Sequence, residues 1–260
     1  MIWSKTIRFA VRTALVACVL GGTSPRVSAQ ELTIAAASDL QTVVPALAQQ
    51  FKRQTGITVK PVFGSSGNFF AQIQNGAPFD LFFSADVDYP KQLEAARLAE
   101  PGSLYEYAAG RIVLWTRKDT GIDLAGGIAA LADPRIRKIA IANPEHAPYG
   151  RAAVAALQHD GLYDRVKTKL VLGENISQAA QFVQSGAADV GIIALSLTLG
   201  PDARAIGVAH DIPASFYPPI AQAAVILSSS RNKDLARRFL TFIKEPDVVR
   251  ALADFGFMRP

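Results

Sequence analysis

Short apolar runs alternate along the chain with longer stretches in which apolar residues recur every three or four positions. Residues 32–36, 57–63 and 79–83 are apolar runs of strand length. A helical pattern follows each of them, and the first has apolar residues at Val43, Val44, Leu47, Ala48 and Phe51. This alternation predicts a mostly parallel sheet covered by helices, because parallel strands need a crossover connection that is usually a helix.

A second unit of the same kind follows Pro101. Residues 105–110 are expected to be a polar connection without regular structure. Further strands are expected at 111–116, 139–142, 170–172, 188–195 and 221–227, and helices at 124–131, 151–159, 176–184 and 232–243.

Two extended crossings, near 108–111 and 217–221, separate the two units. They predict two lobes joined by a hinge, with residues 30–109 and 221–260 in lobe 1 and residues 110–220 in lobe 2. Ligands of open α/β sheets bind at the carboxyl ends of the strands, so a site is expected in the cleft between the lobes.

The first 29 residues have the features of a secretion signal. Lys5, Arg8 and Arg12 precede a short apolar segment, and residues 27–29 (Val-Ser-Ala) fit the cleavage rule. This predicts a periplasmic protein; an alternative is a lipoprotein anchored through Cys18, the only cysteine. The signal contains four of the 27 Lys and Arg residues and no acidic one, leaving 23 basic against 22 acidic residues, so the basic charge does not indicate a nucleic-acid partner.

Four expected strand-to-helix turns carry the candidate chemistry, at residues 36–39, 64–67, 147–150 and 173–176. Each turn places backbone N–H groups at the start of a helix, a position that favours an anion. None contains Lys or Arg, so the pattern indicates a small oxyanion held by neutral donors. The alternative for each turn is an ordinary helix cap.

Other polar residues give weaker signals. Asp80 and Asp86 flank an apolar strand and are interpreted as turn and cap residues rather than paired catalytic carboxylates. His146, His159 and His210 are too scattered to predict a metal site. No nucleophile-elbow, phosphate-loop or zinc-protease motif occurs, which argues against an enzyme.

The chain resembles the periplasmic molybdate-binding proteins of ABC transporters. The resemblance rests on five blocks in the same order, which together span the chain after the signal: 35–38, 63–66, 76–86, 143–150 and 189–193. It implies the type II periplasmic-binding-protein fold, in which a cleft between two α/β lobes holds molybdate or tungstate. It also implies a monomer without a cofactor or a metal other than the molybdenum of the oxyanion, which delivers its ligand to a membrane permease.

The resemblance also implies site residues. Ser38 and Ser66 would each give a hydroxyl and a backbone N–H, and Tyr149 and Ile176 would give backbone N–H groups. Gly67 belongs to the same set through the second turn, and Asp39 through its N–H, with its carboxylate expected to turn away from the anion.

The chain departs from some members of the family in one respect. Ala194 stands where those members have a tyrosine whose phenol binds the oxyanion. The hypothesis is that the hydroxyl of Tyr149 replaces it. Sulfate, phosphate and small carboxylates remain alternative ligands, and a periplasmic sensor of similar fold remains an alternative role.

Overall fold

Two five-stranded sheets, each flanked by helices, form the two lobes of the protein in a computed structural model that describes residues 30–260. The signal expected at 1–29 and Cys18 lie outside this range. The strands are β1 Glu31–Ala37, β2 Thr58–Gly64, β3 Leu81–Ser84, β4 Tyr105–Gly110, β5 Ile112–Arg117, β6 Ile139–Ala142, β7 Leu170–Gly173, β8 Val190–Ala194, β9 Gly207–Asp211 and β10 Ile220–Ile226.

The helices follow the strands in alternation, as the apolar pattern predicts. They are α1 Val44–Thr55, α2 Ser66–Gln74, α3 Asp88–Ala95, α4 Pro148–His159, α5 Tyr163–Val166, α6 Ile176–Gln184, α7 Leu195–Thr198, α8 Pro201–Ile206, α9 Lys233–Ile243 and α10 Pro246–Asp254. None of the helices in residues 30–260 has the length and apolar character needed to span a bilayer.

Both sheets are mixed but mostly parallel. The first has the order β2-β1-β3-β10-β4, and only β10 runs against the others. The second has the order β7-β6-β8-β5-β9, and only β5 runs against the others. The two-lobed α/β fold class expected from the sequence is therefore confirmed.

The chain passes between the sheets twice. The first crossing lies between the end of β4 at Gly110 and the start of β5 at Ile112. The second lies between β9 and β10, in the segment that contains Pro218 and Pro219. Each lobe packs its own core: an aromatic cluster around Phe51 and Phe239 in lobe 1, with ring centroids 5.0 Å apart, and a cluster around Trp115 in lobe 2.

Two strands correct the prediction. Residues 105–110 are not an irregular connection but strand β4, which pairs with β10. Strand β9 was not expected, because Val208 is 48% exposed and its segment has no apolar run. Both are edge strands that pair with a strand distant in the sequence; β9 is mostly exposed, whereas β4 also buries Tyr107 and Ala108.

Helix boundaries also differ from the expectation. The segment expected as a helix at 124–131 is a 3₁₀ helix, Gly127–Ala132, in which Gly127 has a φ of +61°. A 3₁₀ turn, Ser38–Leu40, precedes α1. That helix begins only at Val44, and Pro45 suits its first turn because no N–H is needed there. Helix α2 begins at Ser66, two residues before its expected start.

Candidate functional site

Residues of all four predicted turns line one small cavity between the lobes. The lining includes residues 37–39 after β1, 64–66 after β2, 147–149 at the start of α4, and Ile176 at the start of α6. The cavity volume is about 10 Å³. Pockets for drug-sized ligands are larger, about 300–1,000 Å³, so this one suits a small ligand.

Two buried serine hydroxyls line the cavity with their donor hydrogens uncommitted. Ser66 Oγ accepts the backbone N–H of Ala85 at 2.9 Å, and Ser38 Oγ accepts that of Ser177 at 3.4 Å. A hydroxyl can accept and donate at once. Each serine is therefore oriented by a backbone N–H and keeps its own O–H for a ligand in the cavity.

Helix starts supply further donors. Ser66 and Ile176 are the first residues of α2 and α6, and Tyr149 is the second of α4. The first N–H groups of a helix have no intrahelical acceptor, and the helix dipole makes this end positive. The Asn175 side chain caps α6 through Ser177 and Gln178, which leaves the N–H of Ile176 free of that cap.

The cavity lining, as far as residues 30–260 define it, contains no Lys or Arg. The donors are thus neutral hydroxyls and N–H groups, the set that suits a small, fully deprotonated anion.

Gly67 corrects the predicted site. Its N–H donates to the carbonyl oxygen of His146 at 3.0 Å, on the opposite lobe, and it is not part of the cavity lining within residues 30–260. A Cβ at this position would lie 2.5 Å from the same oxygen. Gly67 therefore permits close approach of the lobes, and its N–H is not available to a ligand.

The hydroxyl of Tyr149 is also committed elsewhere, which corrects the hypothesis that it replaces a donor missing at Ala194. It donates to Asp39 Oδ2 at 2.8 Å and lies against Gly110, where a Cβ would be 2.1 Å from the hydroxyl oxygen. A buried carboxylate is a strong acceptor. Ala194 itself is buried at the end of β8. The contribution of Tyr149 to the cavity is thus limited to its backbone.

The carboxylate of Asp39 forms a buried polar cluster with Tyr149, Gln222 and Tyr107. Gln222 Nε2 donates to Asp39 Oδ2 at 2.7 Å and to the Tyr149 oxygen at 3.0 Å. Tyr107 donates to Gln222 Oε1 at 2.7 Å. Gln222 was missed by sequence reasoning, although a single glutamine in the apolar segment 220–226 is the signal that could have found it.

Burial controls the electrostatics of this cluster. It raises the pKa of Asp39 from 3.8 to about 6, against the opposing effect of the hydrogen bonds from Gln222 and Tyr149. Burial, followed by the charge of Asp39, raises the pKa of Tyr149 well above its ordinary value, so the phenol stays protonated.

Side chains of the two lobes also meet across the mouth of the cleft. Ser65 donates to the carbonyl of His146 at 2.6 Å, and the Nδ1 of His146 lies 2.9 Å from Ser65 Oγ. Asn68 donates to Glu174 at 2.5 Å, and Arg151 forms an ion pair with Asp86. The lobes are therefore closed around the cavity.

The remaining candidate polar residues have structural surroundings. Asp80 accepts the N–H of Thr33 at 2.8 Å and the hydroxyl of Ser230 at 2.6 Å, which ties β3 to its neighbours. His159 stacks on Phe216 with centroids 4.2 Å apart. Within residues 30–260, no group of three or more His, Cys, Asp or Glu side chains is placed to hold a metal ion.

Comparison with known proteins places the chain in a family. A family model described as bacterial extracellular solute-binding protein matches residues 32–258. The molybdate-binding protein ModA of Azotobacter vinelandii is 36% identical over 249 residues, covering 96% of this chain and 98% of that protein. ModA of Rhodobacter capsulatus is 37% identical over 254 residues, covering 98% of this chain and 97% of that protein. The chain belongs to the periplasmic molybdate-binding protein family.

Solved structures agree with this family. The periplasmic molybdate-binding protein of Azotobacter vinelandii superimposes with a TM-score of 0.83 at 39% identity, covering 88% of this chain and 99% of that chain. The sulfate-binding protein SubI of Mycobacterium tuberculosis superimposes with a TM-score of 0.71 at 15% identity, covering 88% of this chain and 87% of that chain. At that identity it shares the fold alone. The cavity described above lies at the carboxyl ends of strands β1 and β2, the edge at which open α/β sheets bind ligands.

Proposed function

We propose that this protein binds molybdate outside the cytoplasm and delivers it to the membrane permease of an ABC importer. One observation carries the proposal: a small cavity between the two lobes whose lining, within residues 30–260, has two uncommitted serine hydroxyls at helix starts and no Lys or Arg. The relatives that cover nearly all of the chain at 36% and 37% identity are molybdate-binding proteins. This supports a binding role rather than a catalytic one.

In the proposed complex, Ser38 and Ser66 donate their hydroxyls to the oxyanion, and Ser38, Asp39, Ser66, Tyr149 and Ile176 donate backbone N–H groups. No side chain coordinates the molybdenum atom directly. A tetrahedral dianion offers only acceptors to these hydroxyl and N–H donors, so each of these hydrogen bonds is matched. Tungstate presents the same four oxygens, and we propose that it binds in the same way.

The proposed function also includes export of the protein and its division into two lobes. We propose that residues 1–29 direct secretion and are removed, and that the exported protein works in the periplasm. We propose lobe limits at 30–109 with 221–260 and at 110–220. The sheet membership of the strands supports them to within one residue, since β4, which ends at Gly110, and β10, which begins at Ile220, share the first sheet, and β5 and β9 share the second.

A thermal-shift panel of molybdate, tungstate, sulfate and phosphate tests the proposal. A ligand at a hundredfold excess over its dissociation constant adds about 2.7 kcal/mol, which corresponds to a rise in Tm of roughly 5–11 °C for a chain of this size. We expect this rise with molybdate and tungstate, and little or none with sulfate and phosphate. A rise with sulfate alone would instead assign the cavity to a sulfate binder.

A further inference from the structure

The side chain of Asp39 is a buried carboxylate that takes no part in binding the anion in the proposed complex. Its side chain is fully buried, its Oδ2 accepts hydrogen bonds from Tyr149 and Gln222, and its Oδ1 has no hydrogen-bond partner within residues 30–260. Buried polar atoms are nearly always paired. The unpartnered oxygen therefore needs an explanation.

The groups around Asp39 do not supply a positive charge. Tyr149 on α4 and Tyr107 on β4 are the titratable side chains of its cluster, and both are neutral phenols. Helices α6 and α7, which pack on the turn that carries Asp39, have no titratable side chain, and Ser196 on α7 donates to the Asp39 carbonyl at 2.8 Å.

The cations on neighbouring elements have other partners. Lys60 on β2 pairs with Glu31 at 2.8 Å, and Arg151 on α4 pairs with Asp86. Glu106 on β4 is exposed and carries no positive charge that could compensate Asp39. The Asp39 carboxylate is thus stabilised by neutral donors, chiefly the side chains of Gln222 and Tyr149, and by no paired cation among the described residues.

Asp39 also belongs to the lining of the cavity, next to Ser38. A dianion held by the Ser38 hydroxyl would therefore lie near the ionised carboxylate of the neighbouring residue, in a buried region. Like charges repel each other strongly at short range in a medium of low dielectric. The repulsion is relieved when the weaker acid, here Asp39, takes up a proton.

We propose that anion binding is coupled to protonation of Asp39, so that the protein takes up a proton from solvent as the dianion enters and the complex holds a neutral Asp39. The balance is one oxyanion, one ionised protein and one proton giving one complex. This inference rests on the proposed function and adds a pH dependence to it.

The coupling has a defined direction. In the free protein the pKa of Asp39 is about 6, so near pH 6 much of the protein already carries the proton. Above that pH, binding requires the uptake of a proton from solvent, and the proton concentration falls as the pH rises. The dissociation constant then rises by up to tenfold per pH unit, until the pKa of the complex is reached.

Isothermal titration of the exported chain with sodium molybdate tests the proposal. Titrations near pH 7.5 in two buffers with different ionisation enthalpies count the protons exchanged with the buffer. We expect an uptake of roughly half to one proton per anion. The matched variants are Asp39→Asn, which keeps an acceptor for Tyr149 and Gln222, and Asp202→Asn, which removes one exposed charge on α8.

Asp39→Asn should take up no proton and should bind molybdate at least tenfold more tightly than the parent near pH 8, whereas the two should differ little near pH 6. Asp202→Asn should behave as the parent. Tyr149→Phe removes a hydrogen bond that lowers the Asp39 pKa, and should move the onset of the pH dependence to higher pH.

The outcomes are distinct. Tight binding of molybdate by the parent without proton uptake, or with an uptake that Asp39→Asn retains, would overturn the coupling and leave the proposed function standing. The proton count of the parent is decisive even if a variant does not fold. Absence of molybdate binding at every pH would overturn both.

Discussion

Ser66 and Ser38 are the residues on which the proposed complex depends most. Each hydroxyl accepts a backbone N–H and keeps its own hydrogen available, and both hydroxyls belong to the cavity lining. Replacing either serine by alanine should weaken molybdate binding by about 1–3 kcal/mol, the usual contribution of a hydrogen bond to a charged group.

Equilibrium titration of Ser66→Ala and Ser38→Ala, beside Ser185→Ala at an exposed position, measures this effect. Ser66→Ala also leaves the Ala85 N–H without its acceptor, so a small loss of stability should accompany the loss of affinity. Parental affinity in both cavity variants would show that the hydroxyls do not contact the anion.

Asp39 should also affect the stability of the free protein. Its pKa is about 6 in the folded state and 3.8 ordinarily, so the folded state binds more protons between about pH 4 and pH 6. Stability therefore falls as the pH rises through this window, and the ionised carboxylate costs up to about 3 kcal/mol above it.

Asp39→Asn should remove this pH dependence and unfold at higher urea concentration than the parent near pH 8, with the difference shrinking toward pH 4. Urea unfolding of the ligand-free proteins at several pH values measures it. If the parent and the variant show the same slope of stability against pH, the carboxylate does not carry a raised pKa.

Gly67 links two structural elements, the start of α2 and the turn before α4. Because its N–H donates to the His146 carbonyl, and because a Cβ would lie 2.5 Å from that oxygen, the two lobes can close only around a glycine. Gly67→Ala should keep the fold of each lobe and hinder closure, weakening molybdate binding roughly tenfold or more.

The matched control is Gly126→Ala, where the nearest atoms to an added Cβ are 3.9 Å away and φ is −74°. Circular dichroism checks the fold, and titration measures the affinity. Equal affinities of Gly67→Ala and the parent would mean that the contact with His146 is not needed for the bound state.

The same elements show how far the sequence determines the fold. Strands β1 and β3 are predictable from the sequence, because each is a short continuous apolar run, which is typical of a buried strand. Strands β4 and β9 are not, because each lies at a sheet edge and depends on pairing with a strand distant in the sequence, β10 or β5.

The site divides in the same way. The four turns are visible locally as small and polar residues before helical patterns, and the cavity that they line follows from the topology. The partners of individual groups are not visible: Tyr149 donates to Asp39, 110 positions away, and Gln222 reaches the same carboxylate from 183 positions away. These pairings decide which donors stay available, and only the folded chain shows them.

At the scale of the whole molecule, the closed cleft implies a motion. An anion cannot enter a cavity whose walls are held together by contacts such as Ser65 to His146 and Arg151 to Asp86, so the lobes must separate for exchange. The two crossings between the sheets are the places where such a hinge would turn. The anion then stabilises closure by bonding to both lobes at once.

The most direct test of the account is a calorimetric titration of the exported chain with molybdate, with sulfate in parallel. We predict a single site per chain, saturated by molybdate, and an affinity for sulfate at least a hundredfold weaker at the same pH. Absence of measurable molybdate binding, or equal binding of the two anions, would contradict the claim that the cavity between the lobes is a molybdate site.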